Sequence, residues 1–401
     1  MASTVLANSG RGGQRLDGVD LLRGLAIFFV LMNHVNMRLL IVKVPYTAGL
    51  PHQLVSSLVW NGQRGVQIFF AVSGFLITST SLRRWGSLPR VSLSGFYLMR
   101  FARIAPLLLL LLGLLSVLHF AGLQHFVVSA KTGGLGRALF AALTFHVNVL
   151  EARRGYLPGN WDILWSLSVE EMFYLFFPVV ARLFGRGKLF IALLLSFVVL
   201  GPFARTVFTH GNEVWKEYSY LGGVDAIALG CLTALLVKRF QFSRVVLWTL
   251  GIVGTVLLVF SLCFSLRAEA WGLSRVGLDM TVLALGACMI IATVAQTKWK
   301  GPRAISPLLN LGQCSYEVYL THMFVVFGLF QLFVLYGKPM KSVATLFIVT
   351  IVAAGLLGEL VARFYSEPLN RLIRGRWRGG KSGAVASLDL EPAVREAGAK
   401  G

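Results

Sequence analysis

Apolar residues run through this chain in blocks of about 20, each closed by a short break rich in arginine, lysine or glycine. Lipid offers the backbone no hydrogen-bond partner, so a crossing segment must pair its own N–H and C=O groups, which a helix does. The blocks predict spans at 20–41, 65–83, 101–122, 161–182, 189–208, 220–237, 245–266, 276–297, 309–336 and 342–366. The predicted fold is all-α, a polytopic transmembrane bundle of about ten helices. The longest stretch between spans, 124–160, has a moderately apolar middle (135–150) that is expected to lie on the membrane or dip into it. A connection that long in a compact bundle points to function. No internal repeat of broken helices is visible.

Composition narrows the class. Of the residues, 56% are hydrophobic and 14% charged, against about 25% charged in soluble domains. The net charge of +21 would suit nucleic acid, but its placement speaks against that partner. With the N-terminus in the cytoplasm, the dense basic breaks all face inward. These are Arg83, Arg84, Arg90, Arg100 and Arg103; Lys238, Arg239 and Arg244; Lys298, Lys300 and Arg303; and Arg371, Arg374, Arg376 and Arg378. This is the positive-inside pattern, and it predicts both termini in the cytoplasm. The expected organisation is an N-terminal segment (1–19), a transmembrane domain (20–370, with the external loop at about 124–160) and a basic tail (371–401) that becomes disordered after about 379. The first span reads as a retained helix rather than a signal peptide. Cys231, Cys263, Cys288 and Cys314 stand singly in apolar surroundings and read as packing residues, so no metal site is expected.

Ionisable residues inside spans mark function by default. Arg23 and His34 stand eleven residues apart on the first span. That spacing puts them within about 20° of one helix face and roughly 16 Å apart along it. A buried imidazole is held neutral, the form a general base needs. Asp20, three residues before Arg23, is placed to pair with it. Taken alone, Arg23 reads equally well as a helix-end anchor and His34 as a bundle hydrogen-bonding residue. Ser73 and Gly74, in the run from Arg64 to Thr78, suit close helix packing. Arg100 and Arg103, opening the third span, suit phosphate binding or simply topology.

Glu170 and Glu171 lie side by side in an apolar segment, where a carboxylate needs a proton or a cation. Neighbours on a helix point about 100° apart, so one of the two is expected to face a site. The alternative is a salt bridge to an arginine such as Arg23. Further on, Glu317 and His322 share a span, and Glu367-Pro368 is expected to close the last helix.

In this order the clusters resemble the acyltransferase-3 family of bacterial membrane O-acyltransferases. The resemblance rests on Arg23 and His34; on Gly65 to Thr78; on Arg100-Phe-Ala-Arg103-Ile-Ala-Pro106; on Trp165 to Tyr174, where Met172 replaces the usual Gln; and on Ser315 to His322. It spans about residues 15 to 370. It implies transfer of an acyl group, acetyl first among them, from a coenzyme A thioester to a hydroxyl of a carbohydrate, a lipid-linked sugar or another small acceptor in the bacterial cytoplasmic membrane. No permanently bound cofactor is implied. Some family members carry a further esterase-like domain after the last helix; none is expected here, which favours direct transfer over a serine relay.

On this reading His34 is the expected general base, oriented by Glu170 or Glu171. Arg23, Arg100 and Arg103 are expected to bind the coenzyme phosphates. Asn33 and Ser73 are candidate oxyanion donors, with Arg64 and His322 in support. Met172, flexible and polarizable, is expected in the pocket wall, where it would alter acceptor or acyl-chain choice. The competing class is a proton-coupled transporter or flippase, which also places His, Glu and Arg in its spans.

Overall fold

The computed structural model describes residues 15–376. Among these, ten helices are long and apolar enough to cross a membrane, and no strand occurs. They are α1 (Asp17–Ile41), α2 (Gly62–Trp85), α3 (Leu93–Phe120), α4 (Gly159–Phe184), α5 (Lys188–Thr209), α6 (Glu213–Arg239), α7 (Arg244–Cys263), α8 (Asp279–Thr297), α9 (Ser315–Leu335) and α10 (Met340–Arg376). An even number of crossings returns the chain to its starting side, so Arg15 and Arg376 share one face of the bundle, the terminal face. The stretch between α3 and α4 lies on the opposite, distal face. It contains the short helices Gly134–Leu143 and Val147–Arg154.

Local chemistry sets the ends. Asp17 and Asp20 occupy the first turn of α1, where negative charge suits the helix dipole. Asp17 also accepts from the Lys300 ammonium at 3.0 Å and the Gly301 N–H at 3.1 Å, tying α1 to the basic break before α9. Gly86, at φ 76°, ends α2 in a conformation that side chains resist.

Two differences from the expected boundaries bear on the site. The third helix opens at Leu93 instead of 101, because the Ser92 hydroxyl caps it by accepting the Gly95 N–H at 3.2 Å. Arg100 and Arg103 therefore sit about two turns inside α3. The last helix does not close at Glu367-Pro368. A π-turn over Ala362–Ser366 shifts the hydrogen-bond register just before the proline, and the helix continues through Arg376. Residues 371–376, expected to begin a tail, are thus helical; Arg378, the tail expected to be disordered and residues 1–14 lie outside the described residues.

The core of the bundle is α2 pressed onto α6. A Cβ added to Gly74 would meet the Ile227 carbonyl oxygen at 1.9 Å, and one on Gly230 would meet the Ala71 carbonyl oxygen at 2.1 Å. Each glycine thus admits the other helix's backbone, the small-residue contact that replaces hydrophobic driving force in lipid. We expect Gly74→Val to abolish recovery of a monodisperse protein in mild detergent. Gly113→Val, whose added Cβ meets nothing within 4 Å, should leave the size-exclusion profile unchanged. Equal profiles would refute the interlocked crossing.

A second anchor was not singled out in the sequence. Arg205 on α5 and Asp225 on α6 form a buried ion pair at 2.8 Å. The guanidinium also donates to the carbonyls of Gly277 and Gly222, and Asp225 accepts from Gln67 at 3.0 Å and Thr281 at 2.7 Å. Four helices, α2, α5, α6 and α8, and the loop before α8 are pinned by this network.

Candidate active site

A cavity of about 810 Å³ opens at the terminal face between α1, α2, α3, α4, α9 and α10. Its wall carries Arg15, Arg23, Arg83, Arg84, Arg100, Arg103 and Arg374 against three carboxylates, Glu170, Glu171 and Glu367. The excess of guanidinium makes it a receptor for anions. Ser73, Ser166, Tyr174, Tyr316 and Tyr319 add hydroxyl groups to the lining.

The acidic pair on α4 is organised by α3. Arg100 Nη2 lies 3.2 Å from Glu171 Oε1 and 3.7 Å from Glu170 Oε1, and its guanidinium stacks 3.6 Å from the Tyr174 ring centre. Glu170 Oε1 also accepts from the Tyr174 hydroxyl at 2.6 Å, one helical turn on, and from the Ser73 hydroxyl. One turn further along α3, Arg103 donates through both nitrogens to Glu317 on α9, at 2.9 and 3.3 Å. Paired, bidentate guanidinium–carboxylate contacts are how buried carboxylates are tolerated. Arg23 pairs with Asp20 at 3.7 Å, as their spacing predicts.

His34 does not meet the acidic pair. Its ring faces His322 on α9, centre to centre 5.0 Å. The expectation that Glu170 or Glu171 orients His34 is therefore not met by any contact, because both carboxylates are drawn to Arg100. The alternative, a salt bridge to arginine, is what forms, with Arg100 in place of Arg23. His322 is wholly buried, with Nδ1 at 2.7 Å from the Tyr319 carbonyl oxygen. Tyr319, whose ring lies 5.8 Å from that of His322, lines the cavity. The sequence from cavity to Tyr319 to His322 to His34 is continuous. The imidazole of His34 thus faces the bundle.

The remaining candidates divide. Ser73, Arg23, Arg100 and Arg103 share the cavity with Glu170 and Glu171. Asn33 does not: its amide donates to the Val59 carbonyl at 3.0 Å, holding the loop before α2. Arg64, at the distal start of α2, donates to Asn61 at 3.1 Å and does not line the cavity. Met172 lines a separate apolar crevice of about 350 Å³ between α4, α5 and α6, so the expectation that it walls the site is corrected. Arg83, Arg84 and Arg374, which read in the sequence as topology signals, line the cavity, as do Arg15 and the tyrosines, to which the sequence assigns no role. The Arg100–Arg103 and Tyr316–Tyr319 spacings, each placing two residues on one helix side, were the available signal.

The family described as "Acyltransferase domain", the acyltransferase-3 family, matches residues 16–360. The chain belongs to this family. The similar proteins include the O-acetyltransferase OatA of Staphylococcus aureus strains NCTC 8325 / PS 47, COL and MRSA252, each 22% identical over 369 residues and matched over 89% of this chain. The chain spans only 57% of the length of these relatives. No solved structure matches. The family match covers every helix that builds the cavity, α10 as far as residue 360.

Proposed function

We propose that this acyltransferase moves an acyl group, acetyl first among candidates, from a coenzyme A thioester to a hydroxyl of a carbohydrate or lipid-linked acceptor. The observation that carries the reading is the arginine-lined cavity at the terminal face, whose wall includes Tyr319, the neighbour of His322, which in turn faces His34. A coenzyme offers several phosphates to the mouth and a long thin thiol arm to the depth. With the positive-inside pattern, the terminal face is the cytoplasmic one, where coenzyme A is made.

The step is a direct acyl transfer. The acceptor oxygen attacks the thioester carbonyl carbon while His34 takes the hydroxyl proton. The carbon–sulfur bond breaks, and the departing thiolate takes that proton back from the imidazolium. His322 positions His34. Arg100 and Arg103 brace the cavity through Glu170, Glu171 and Glu317, and Arg83 and Arg374, also in the cavity wall, are the phosphate-binding set. A proton-coupled carrier would need no thioester-sized anion site, and the absence of a repeat gives it no support.

The test uses purified protein with radiolabelled acetyl-CoA, reading free thiol and acylated product. Arg83→Glu is expected to raise the acetyl-CoA KM about tenfold, as two repelling charges replace an attraction worth about 1 kcal/mol or more. No thiol release with any acceptor would overturn the enzyme reading; an unchanged donor KM would remove Arg83 from the coenzyme site.

A further inference from the structure

Along α1 the order is Arg23, His34, Arg38, and the basic cavity accounts only for the first. Beyond the histidine pair, on the distal side, lies a second concentration of buried polar groups. Arg38 packs its guanidinium 4.8 Å from the Phe327 ring centre on α9. Its charge acts on Asp162, in the first turn of α4, which accepts from the Tyr218 hydroxyl at 3.1 Å. Glu151, wholly buried on the helix Val147–Arg154, accepts the Leu157 N–H at 2.9 Å and faces Asp162. Burial, and after it the Asp162 carboxyl, push the Glu151 acid well above the ordinary carboxylate range. The short turn that carries Asp162 is held against α9: a Cβ on Gly159 would meet Met323 at 2.7 Å and lie 3.6 Å from the Arg38 guanidinium.

These contacts leave other polar atoms of the cluster without a partner. Among the buried atoms without a hydrogen-bond partner are Arg38 Nε, both amide atoms of Asn160, Trp161 Nε1 and His322 Nε2, all on residues of this region. Asn160 is 1% exposed and Trp161 and His322 are fully enclosed. Buried polar atoms in folded proteins are paired, and a group of orphans calls for a ligand that supplies both donors and acceptors. Hydroxyl groups do both at once. An anion would meet two acids here, and an apolar chain would leave every orphan unmade. Tyr156, exposed beside Tyr218 at a ring distance of 6.0 Å, offers an aromatic face to the C–H side of a sugar ring.

We propose that Arg38, Glu151, Asn160 and Asp162 form the subsite that holds a sugar ring of a carbohydrate acceptor, on the distal side of the His34–His322 pair. The proposal rests on the acyl-transfer reading and assigns that reading's acceptor to named residues. Donor and acceptor then approach the histidines from opposite ends, and only the acyl carbon need pass between them.

The experiment measures initial rates of the full chain in detergent with acetyl-CoA and a panel of neutral oligosaccharides: chitotetraose, cellotetraose and maltotetraose. Asn160→Ala and, as a near-isosteric second variant, Asp162→Asn are expected to raise the KM for the accepted sugar at least tenfold while the acetyl-CoA KM stays within twofold. Lys131→Ala, exposed on the same distal stretch, serves as the unaffected control. Unchanged sugar KM in both variants would overturn the subsite, showing that the orphan groups hold water only. Thiol release by the wild type without transfer to any sugar of the panel would overturn it as well, leaving the enzyme reading standing. Absence of thiol release altogether would fell the acyl-transfer reading, and the subsite with it.

Discussion

Replacing His34 with alanine is expected to cut turnover by about 10²–10⁴-fold, the range a well-placed general base supplies, with little change in the donor KM. The substitution removes an imidazole that is only partly enclosed and that the structure engages through a ring contact to His322. No buried partner is orphaned by a hydrogen bond lost, so the protein should elute as the wild type does. His322→Gln is the companion. It keeps a polar group beside Tyr319 but removes the ring that faces His34, and it should lower kcat less than His34→Ala does. Near-normal turnover of the His34 variant, with a normal elution profile, would dismiss it as the base. A His322 variant worse than the His34 variant would exchange their roles.

The largest effect on folding should come from Asp225→Ala. Asp225 is fully buried and answers Arg205, Gln67 and Thr281 together. Removing it leaves a guanidinium enclosed without its counter-charge, which costs about 3–5 kcal/mol and is a large share of a typical folding free energy of about 5–15 kcal/mol. Arg205 would keep its carbonyl partners at Gly277 and Gly222, so its isolation is incomplete. The double variant Arg205→Met with Asp225→Leu removes both charges and should recover much of the loss. Thermal unfolding in detergent reads this directly. A midpoint shift below about 2 °C for the single variant would mean that the network carries little of the stability.

The spans were legible because lipid imposes one rule on every crossing segment, and that rule is written in runs of apolar residues. What the runs cannot carry is depth. Ser92 caps α3 a turn and more before its apolar run begins, so Arg100 and Arg103 read as an entrance when they belong to the interior. Pro368 is a strong local stop, and only the register shift upstream, a property of the backbone rather than of any residue, lets α10 continue. Partnerships were hidden for a different reason. His34 and His322, or Arg103 and Glu317, lie hundreds of positions apart, and helical periodicity reports which face a residue occupies, not which face it meets. The glutamate pair illustrates this: a cation was foreseen as one solution, but nothing in the sequence chose Arg100 over Arg23. The family motifs pointed to the residues of the cavity and were silent about the distal cluster around Asp162.

The locked crossing of α2 with α6 has a mechanical consequence. With carbonyls of each helix seated against glycines of the other, the two can be pulled apart only by breaking packing along their whole length. The wall bearing Ser73 is therefore the stationary jaw of the basic cavity. Any widening of that cavity must come from the opposite jaw, where α3 and the far end of α10 meet the site through side chains that bend.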